Sequence, residues 1–259
     1  MLFNPAFPHD EPLDLSVFGA VLFDLDGVLT ATARVHSRCW KRMFDEFLTQ
    51  YYAQHDLPFV AFDPARDYRD YVDGKPRVEG IRSFLASRGI ELPWGNPDDA
   101  PDVASVYGLG NWKNAMFRDV LEAEGVDVFE GSVRLARWLR ECKVRLAVVS
   151  SSKNCMAILE KAGLVDLFDL FMDGNRAREL DLAGKPAPDT FARAAHELHV
   201  PNGLAVVVED AISGVQAGHA GNFGLVVGVD RHGDPQSLLQ NGADVVVSDL
   251  AELLPEGSA

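Results

Sequence analysis

The chain has 259 residues, 47% of them hydrophobic, with 39 acidic against 24 basic side chains and a formal net charge of −15. That length supports one large core or a core with a smaller companion domain. The acidity argues against a nucleic-acid partner and an anionic membrane surface, both of which need a basic face, but it leaves room for a small phosphorylated ligand in a locally positive pocket.

Residues 1–18 are rich in Pro and acid, lack the basic and apolar regions of a signal peptide, and predict a loose surface arm. No apolar run is long enough to span a bilayer. Cys39, Cys142 and Cys155 show no metal-type spacing, and their odd, low number predicts reduced thiols in the cytoplasm. Short apolar runs predict strands at 20–24, 144–149, 204–208, 224–229 and 244–247, with a weaker one at 168–172. Helical periodicity covers 131–142, 153–162, 187–199 and 211–220. Strands alternating with helices predict an α/β, Rossmann-like parallel sheet covered on both faces. Residues 33–124 break the alternation. Helices are expected there at 33–53, 76–88 and 111–124, with a Pro/Gly-rich loop at 93–101. The expected organisation is therefore an arm (1–18), a core (19–32 and 125–259) and an inserted helical cap (33–124).

Four predicted strand-to-loop junctions carry chemistry. After Phe23 come Asp24-Leu25-Asp26-Gly27, where two carboxylates end a buried strand; Asp is a poor strand former, and one such acid can attack phosphorus while the other moves a proton. Ser150-Ser151-Ser152-Lys153-Asn154 places hydroxyls and amides where a helix begins, an anion site or plain N-capping. Gly184-Lys185-Pro186 offers a fixed ammonium or a solvated lysine. Glu209-Asp210 ends another strand and suits Mg2+, or the dipole of the following helix. In a parallel sheet all four junctions share one edge. Cys155 lies where a helix dipole lowers a thiol pKa, though buried cysteines are mostly inert.

The order DLDG, SSSKN, GKPAPD and VVVEDAISG resembles the haloacid dehalogenase superfamily over about 20–35 and 125–250. Thr32, His36 and Trp40, then Arg77, Lys113 and Asn114, narrow the resemblance to its β-phosphoglucomutase-like subgroup. The resemblance implies Asp24 as nucleophile, Asp26 as general acid/base, and Lys185 with Ser150 and Ser151 on the transferring phosphoryl. It implies Mg2+ held by Asp24, the Asp26 carbonyl and Asp210, assisted by Glu209. It places Arg77, Ser152, Lys153 and Asn154 at a second phosphate, Lys113 and Asn114 at the sugar or its phosphate, His36 where cap closure is coupled to the placement of Asp26, and Thr32 among the substrate- or phosphate-binding residues. The implied reaction interconverts β-D-glucose 1-phosphate and glucose 6-phosphate through a bisphosphate, with a sugar-phosphate phosphatase and a non-catalytic sugar-phosphate binder as alternatives. A monomer is expected. Asp73 where the family often has lysine, Trp112 where it often has arginine, and a longer cap are departures that bear on the choice of sugar.

Overall fold

A computed structural model describes residues 1–5 and 13–255. In chain order the elements are β1 (Leu2–Phe3), β2 (Ala20–Phe23), α1 (Ala33–Gln54), a π-helical turn (Tyr68–Val72), α2 (Arg77–Ser87), α3 (Val106–Glu124), α4 (Glu130–Glu141) and β3 (Arg145–Val149). There follow α5 (Cys155–Ala162), β4 (Leu170–Met172), α6 (Gly174–Glu179), α7 (Asp189–Glu197), β5 (Ala205–Glu209), α8 (Ile212–Ala220), β6 (Leu225–Val229), α9 (Pro235–Gln240) and β7 (Val245–Val247). The described chain forms two compact units, Thr32–Gly125 and the segments on either side of it.

The flanking segments build a seven-stranded sheet in the order β1-β7-β6-β5-β2-β3-β4. Among the described residues only the β1–β7 strand pair is antiparallel. β2, β5 and β6 are buried along their whole length, as strands covered on both faces must be, and this is why their sequences are unbroken apolar runs. Ala147, Val149, Val207, Phe191, Ala195, Val215 and Val226 belong to a core packed on one side of this sheet.

The arm expected at 1–18 is not uniformly loose. Leu2 and Phe3 pair with Val246 and Val245, and Leu15 is fully buried. Two residues are too few to read as a strand from sequence, and the neighbouring edge supplies the pairing. Residues 6–12 of the expected arm lie outside the described residues.

The Thr32–Gly125 unit is helical around an aromatic centre. Phe44 stacks on Phe62 at 5.1 Å and meets Phe84 at 4.2 Å, and Trp40 stacks on Phe44 at 5.4 Å. α3 starts earlier than the expected residue 111. Ser105 caps it, its Oγ accepting from the Gly108 N–H at 2.9 Å, while the weak helix formers Gly108 and Gly110 mask the start in the sequence.

Candidate active site

Strand register assembles the site. Phe23 pairs with Val148 on β3 and with Val208 on β5, so the next residues, Asp24, Val149 and Glu209, emerge side by side at the carboxyl edge. β2 is flanked by β3 and β5, and such a crevice is where open α/β sheets bind ligands. The Asp24 N–H donates to the Val208 carbonyl at 2.9 Å, extending the ladder to the acid itself.

Lys185 reaches this edge from the loop before α7. Its Nζ lies 2.5 Å from Asp24 Oδ1 and 2.5 Å from Glu209 Oε1, donates to the Val149 carbonyl at 3.0 Å, and stands 4.9 Å from the centre of the Phe191 ring. Asp24, Lys185, Glu209 and Asp210 are all nearly inaccessible. Burial pushes the Lys185 ammonium towards losing its proton, but the Asp24 and Glu209 carboxylates outweigh it and hold the group charged, above its ordinary range. Burial pushes the Asp24 carboxyl well above the carboxylate range; Lys185 opposes this, and Glu209 and Asp26 add to it.

Ligand oxygens of Asp24, Glu209 and Asp210 all lie within 4.8 Å of one another. Three buried carboxyl groups therefore share one small space beside the Lys185 ammonium, and an all-oxygen donor set of this kind fits a hard divalent cation. Glu209 Oε2 accepts from the Asp210 and Ala211 N–H groups, each at 3.2 Å. A Cβ at Gly214 would overlap the Glu209 carboxylate, which is why a glycine follows Ser213 in the first turn of α8.

The loop after Asp24 turns at Gly27, with φ of +92°, and a Cβ there would overlap the Asp210 carboxylate. Asp26, half-buried on this loop, raises the Asp24 carboxyl through its charge. The Gly27 N–H donates to the Thr30 carbonyl at 2.7 Å.

Ser150 is buried, and its Oγ accepts from the Ser152 N–H at 3.1 Å. Ser152 Oγ in turn accepts from the Asn154 N–H at 3.1 Å. Ser151, Ser152 and Asn154 are half-buried, and Lys153 is exposed. Asn175 Nδ2 donates to the Lys153 carbonyl at 3.0 Å, and Asp173 caps α6 beneath it; nothing in the sequence singled out this brace. Cys155 is fully buried, and burial pushes its thiol well up, with the charges of Asp26, Asp173 and Asp24 acting the same way.

In the helical unit the expected residues form two groups. Thr32, which is buried, accepts the His36 N–H on its carbonyl at 2.9 Å. Lys113 is buried, with Nζ 2.5 Å from His36 Nδ1 and about equidistant from the Trp40 and Phe117 rings, at 5.0 and 4.9 Å. An ammonium only donates, so Nδ1 is the acceptor and a neutral His36 carries its proton on Nε2. His36 also stacks on Phe117 at 4.1 Å. In the second group Arg77, half-buried, gives Nη1 to the Gly110 carbonyl at 2.9 Å. Burial, helped by the like charge of Arg118, pushes its guanidinium down to about 10. Asn114, one turn beyond Gly110 on α3, is half-buried.

A parallel α/β edge with a lysine-bridged acid cluster and a hydroxyl-rich loop suits an enzyme that transfers phosphoryl groups. A family profile described as haloacid dehalogenase-like hydrolase matches residues 18–222. Proteins named β-phosphoglucomutase from Mycobacterium bovis and Mycobacterium tuberculosis are 51% identical over 238 residues, covering 91% of this chain and 91% of each relative. One of the same name from Bacillus subtilis is 31% identical over 239 residues, 92% of both chains. The crystal structure of β-phosphoglucomutase from Clostridium difficile superposes with a TM-score of 0.71 at 22% identity, covering 92% of this chain and 94% of that one. The chain belongs to the haloacid dehalogenase superfamily, in its β-phosphoglucomutase-like subgroup. It is a phosphotransferase/isomerase-type enzyme, and membership implies a divalent metal. Among the described residues no helix is long and apolar enough to cross a membrane.

Proposed function

We propose that the enzyme interconverts β-D-glucose 1-phosphate and glucose 6-phosphate through an aspartyl phosphate, with Mg2+ as its metal. The observation that carries this reading is the 51% identity to β-phosphoglucomutases across 91% of both chains. The site supports it residue by residue. Asp24 is the nucleophile. Its phosphorylated form donates the phosphoryl to the free hydroxyl of the sugar phosphate, giving a bisphosphate. The bisphosphate turns over and returns its other phosphoryl to Asp24. Asp26 takes the proton from the attacking hydroxyl and gives it to the departing oxygen. Asp24, Asp210 and the Asp26 carbonyl, with Glu209 beside them, would hold the Mg2+, which supplies neutralising charge to the phosphoryl oxygens. Lys185 and the Ser150–Ser151 donors bear on the same oxygens, where preorganised charge lowers the barrier most.

A mutase needs a second anion site, and Arg77 suits it. Its guanidinium has a backbone carbonyl as partner and a second arginine close enough to lower its pKa, which leaves its charge for an anion. Lys113, held against two rings and His36 Nδ1, would contact the sugar or its phosphate together with Asn114.

The test is a coupled assay with β-D-glucose 1-phosphate, a bisphosphate primer and Mg2+. Glucose 6-phosphate is expected. Inorganic phosphate alone would make the enzyme a phosphatase and overturn the mutase reading. Asp24→Asn should abolish turnover with an unchanged circular dichroism spectrum; parent-like rates in that variant would remove the aspartyl phosphate from the scheme.

A further inference from the structure

Arg231 follows β6 and reaches the loop that leaves β2. Its Nε donates to the Gly27 carbonyl at 2.7 Å and its Nη1 to the Ser248 carbonyl at 3.1 Å. Its guanidinium lies 3.6 Å from the centre of the Phe129 ring. Phe129 is itself fastened to the same loop, its N–H donating to the Leu29 carbonyl at 2.9 Å, and Ser132 Oγ donates to the Val28 carbonyl at 2.6 Å. The carbonyls of Gly27, Val28 and Leu29 are thus held in succession, and Arg231 is the charged member of the set.

Stability alone does not explain an arginine here. Nη2 is buried without a hydrogen-bond partner, and an unmet buried donor is costly. Burial pushes the guanidinium pKa down, and the Asp210, Asp249 and Asp230 carboxylates only partly restore it. A methionine would cover Phe129 without either penalty. What the methionine would lose is the grip on Ser248 and on Gly27, the latter being the residue whose α-carbon abuts the Asp210 carboxylate so closely that a Cβ has no room.

We propose that Arg231 is a positioning residue for phosphoryl transfer. By holding the Gly27 carbonyl it fixes the loop carrying Asp24 and Asp26 against Asp210, and so sets the spacing of the oxygens that hold the divalent cation. The inference rests on the reading of Asp24 given above. Partners that orient metal ligands from behind are worth about 10–100-fold in affinity or activity when removed, and Arg231 acts in this way through a backbone carbonyl.

The test measures Mg2+ alone binding to the full chain by calorimetry, with steady-state kinetics and melting temperatures alongside. Arg231→Met keeps the cover over Phe129 and removes the donors and charge. It should bind Mg2+ about tenfold more weakly and lose about tenfold in kcat, with KM for the sugar phosphate within about twofold of the parent. Arg231→Lys, which restores the charge and one donor, should recover part of both losses. An Arg231→Met protein that melts lower yet matches the parent in Mg2+ affinity and kcat would reduce Arg231 to a structural staple and overturn the inference. Should Arg231→Met not fold, Arg231→Lys is judged by the same measures, with a several-fold loss in both expected and parity overturning the proposal. Asp24→Asn is run beside them. Turnover in that variant defeats the Asp24 reading, whereas an inactive Asp24→Asn beside a parent-like Arg231 variant defeats the positioning role alone.

Discussion

Lys185 is the side chain on which the acid cluster depends. It is buried between Asp24 and Glu209, so Lys185→Met leaves two carboxylates without their counter-charge. Removing one partner of a buried ion pair costs about 3–5 kcal/mol; denaturant unfolding of the metal-free protein should show a loss of that order, and turnover should vanish. Gly27 is constrained differently. Gly27→Ala would strain a backbone at φ +92° and drive a methyl into Asp210. A displacement of about 1 Å in a catalytic loop can cost a hundredfold in rate, and we expect kcat to fall about that much with the secondary structure intact. The acids and Lys185 are legible in the sequence because their chemistry is wrong for its setting: charged groups where buried strands end. Arg231, Phe129 and Ser132 are not, because each reaches the loop through a main-chain carbonyl, an acceptor that every residue carries. Lys113 is legible as a residue but not in its placement, since only the folded unit brings the Trp40 and Phe117 rings around it.

The turn before α2 depends on an ion pair within the helical unit. Asp67 is 2% exposed and accepts from Arg88 Nη2 at 2.6 Å, from Arg66 Nε at 3.1 Å and from the Asp63 N–H at 3.0 Å. Burial pushes the Asp67 carboxyl up, but the Asp63 N–H and the two guanidiniums outweigh it and hold it below the ordinary carboxylate value. A lowered folded-state pKa means that Asp67 stabilises the unit above the ordinary carboxylate pKa, and that this contribution is lost as pH falls towards its folded value. Arg88→Ala removes the shortest of the three bonds and should cost about 1.5–3 kcal/mol near neutral pH; thermal melts should show the gap to the parent narrowing in acid. This pair joins residues far apart along the chain and has no periodic signature. The elements themselves were readable wherever period and burial coincide. The strand expected at 144–149 runs Arg145–Val149, and the helix expected at 33–53 runs Ala33–Gln54. What escaped is short or capped by polar residues: β1 with its two residues, α6 behind the Asp173 cap, and α9 opened by Asp234 and Pro235. Six residues or fewer cannot display a helical period, and these pieces are defined by the neighbours they pair with or by one cap.

Across the whole molecule the candidate metal site ties distant parts of the chain together. Asp24 ends β2, while Glu209 and Asp210 lie at the end of β5, and strand pairing alone makes them neighbours. The unfolded chain holds no such cluster, so a divalent cation binds the native state selectively and stabilises it, by about 2.7 kcal/mol at a hundred times its dissociation constant. The sign of the pH dependence follows from Asp24. Burial raises its carboxyl well above the ordinary value in the metal-free protein. Between the ordinary and the raised pKa, the folded chain keeps a proton that the unfolded chain has released. Metal-free stability therefore falls as pH rises through that window. A cation that uses the Asp24 carboxylate must displace that proton, so its affinity climbs over the same window. Calorimetric melts with and without Mg2+ should show a gain in melting temperature that is small in acid and grows towards neutral and alkaline pH. Asp24→Asn, with no proton to displace, should flatten the dependence and bind Mg2+ more weakly through the remaining carboxylates. A parent protein whose Mg2+-induced gain stays constant across the series would separate the metal from Asp24, and with it the link between strand pairing and catalysis.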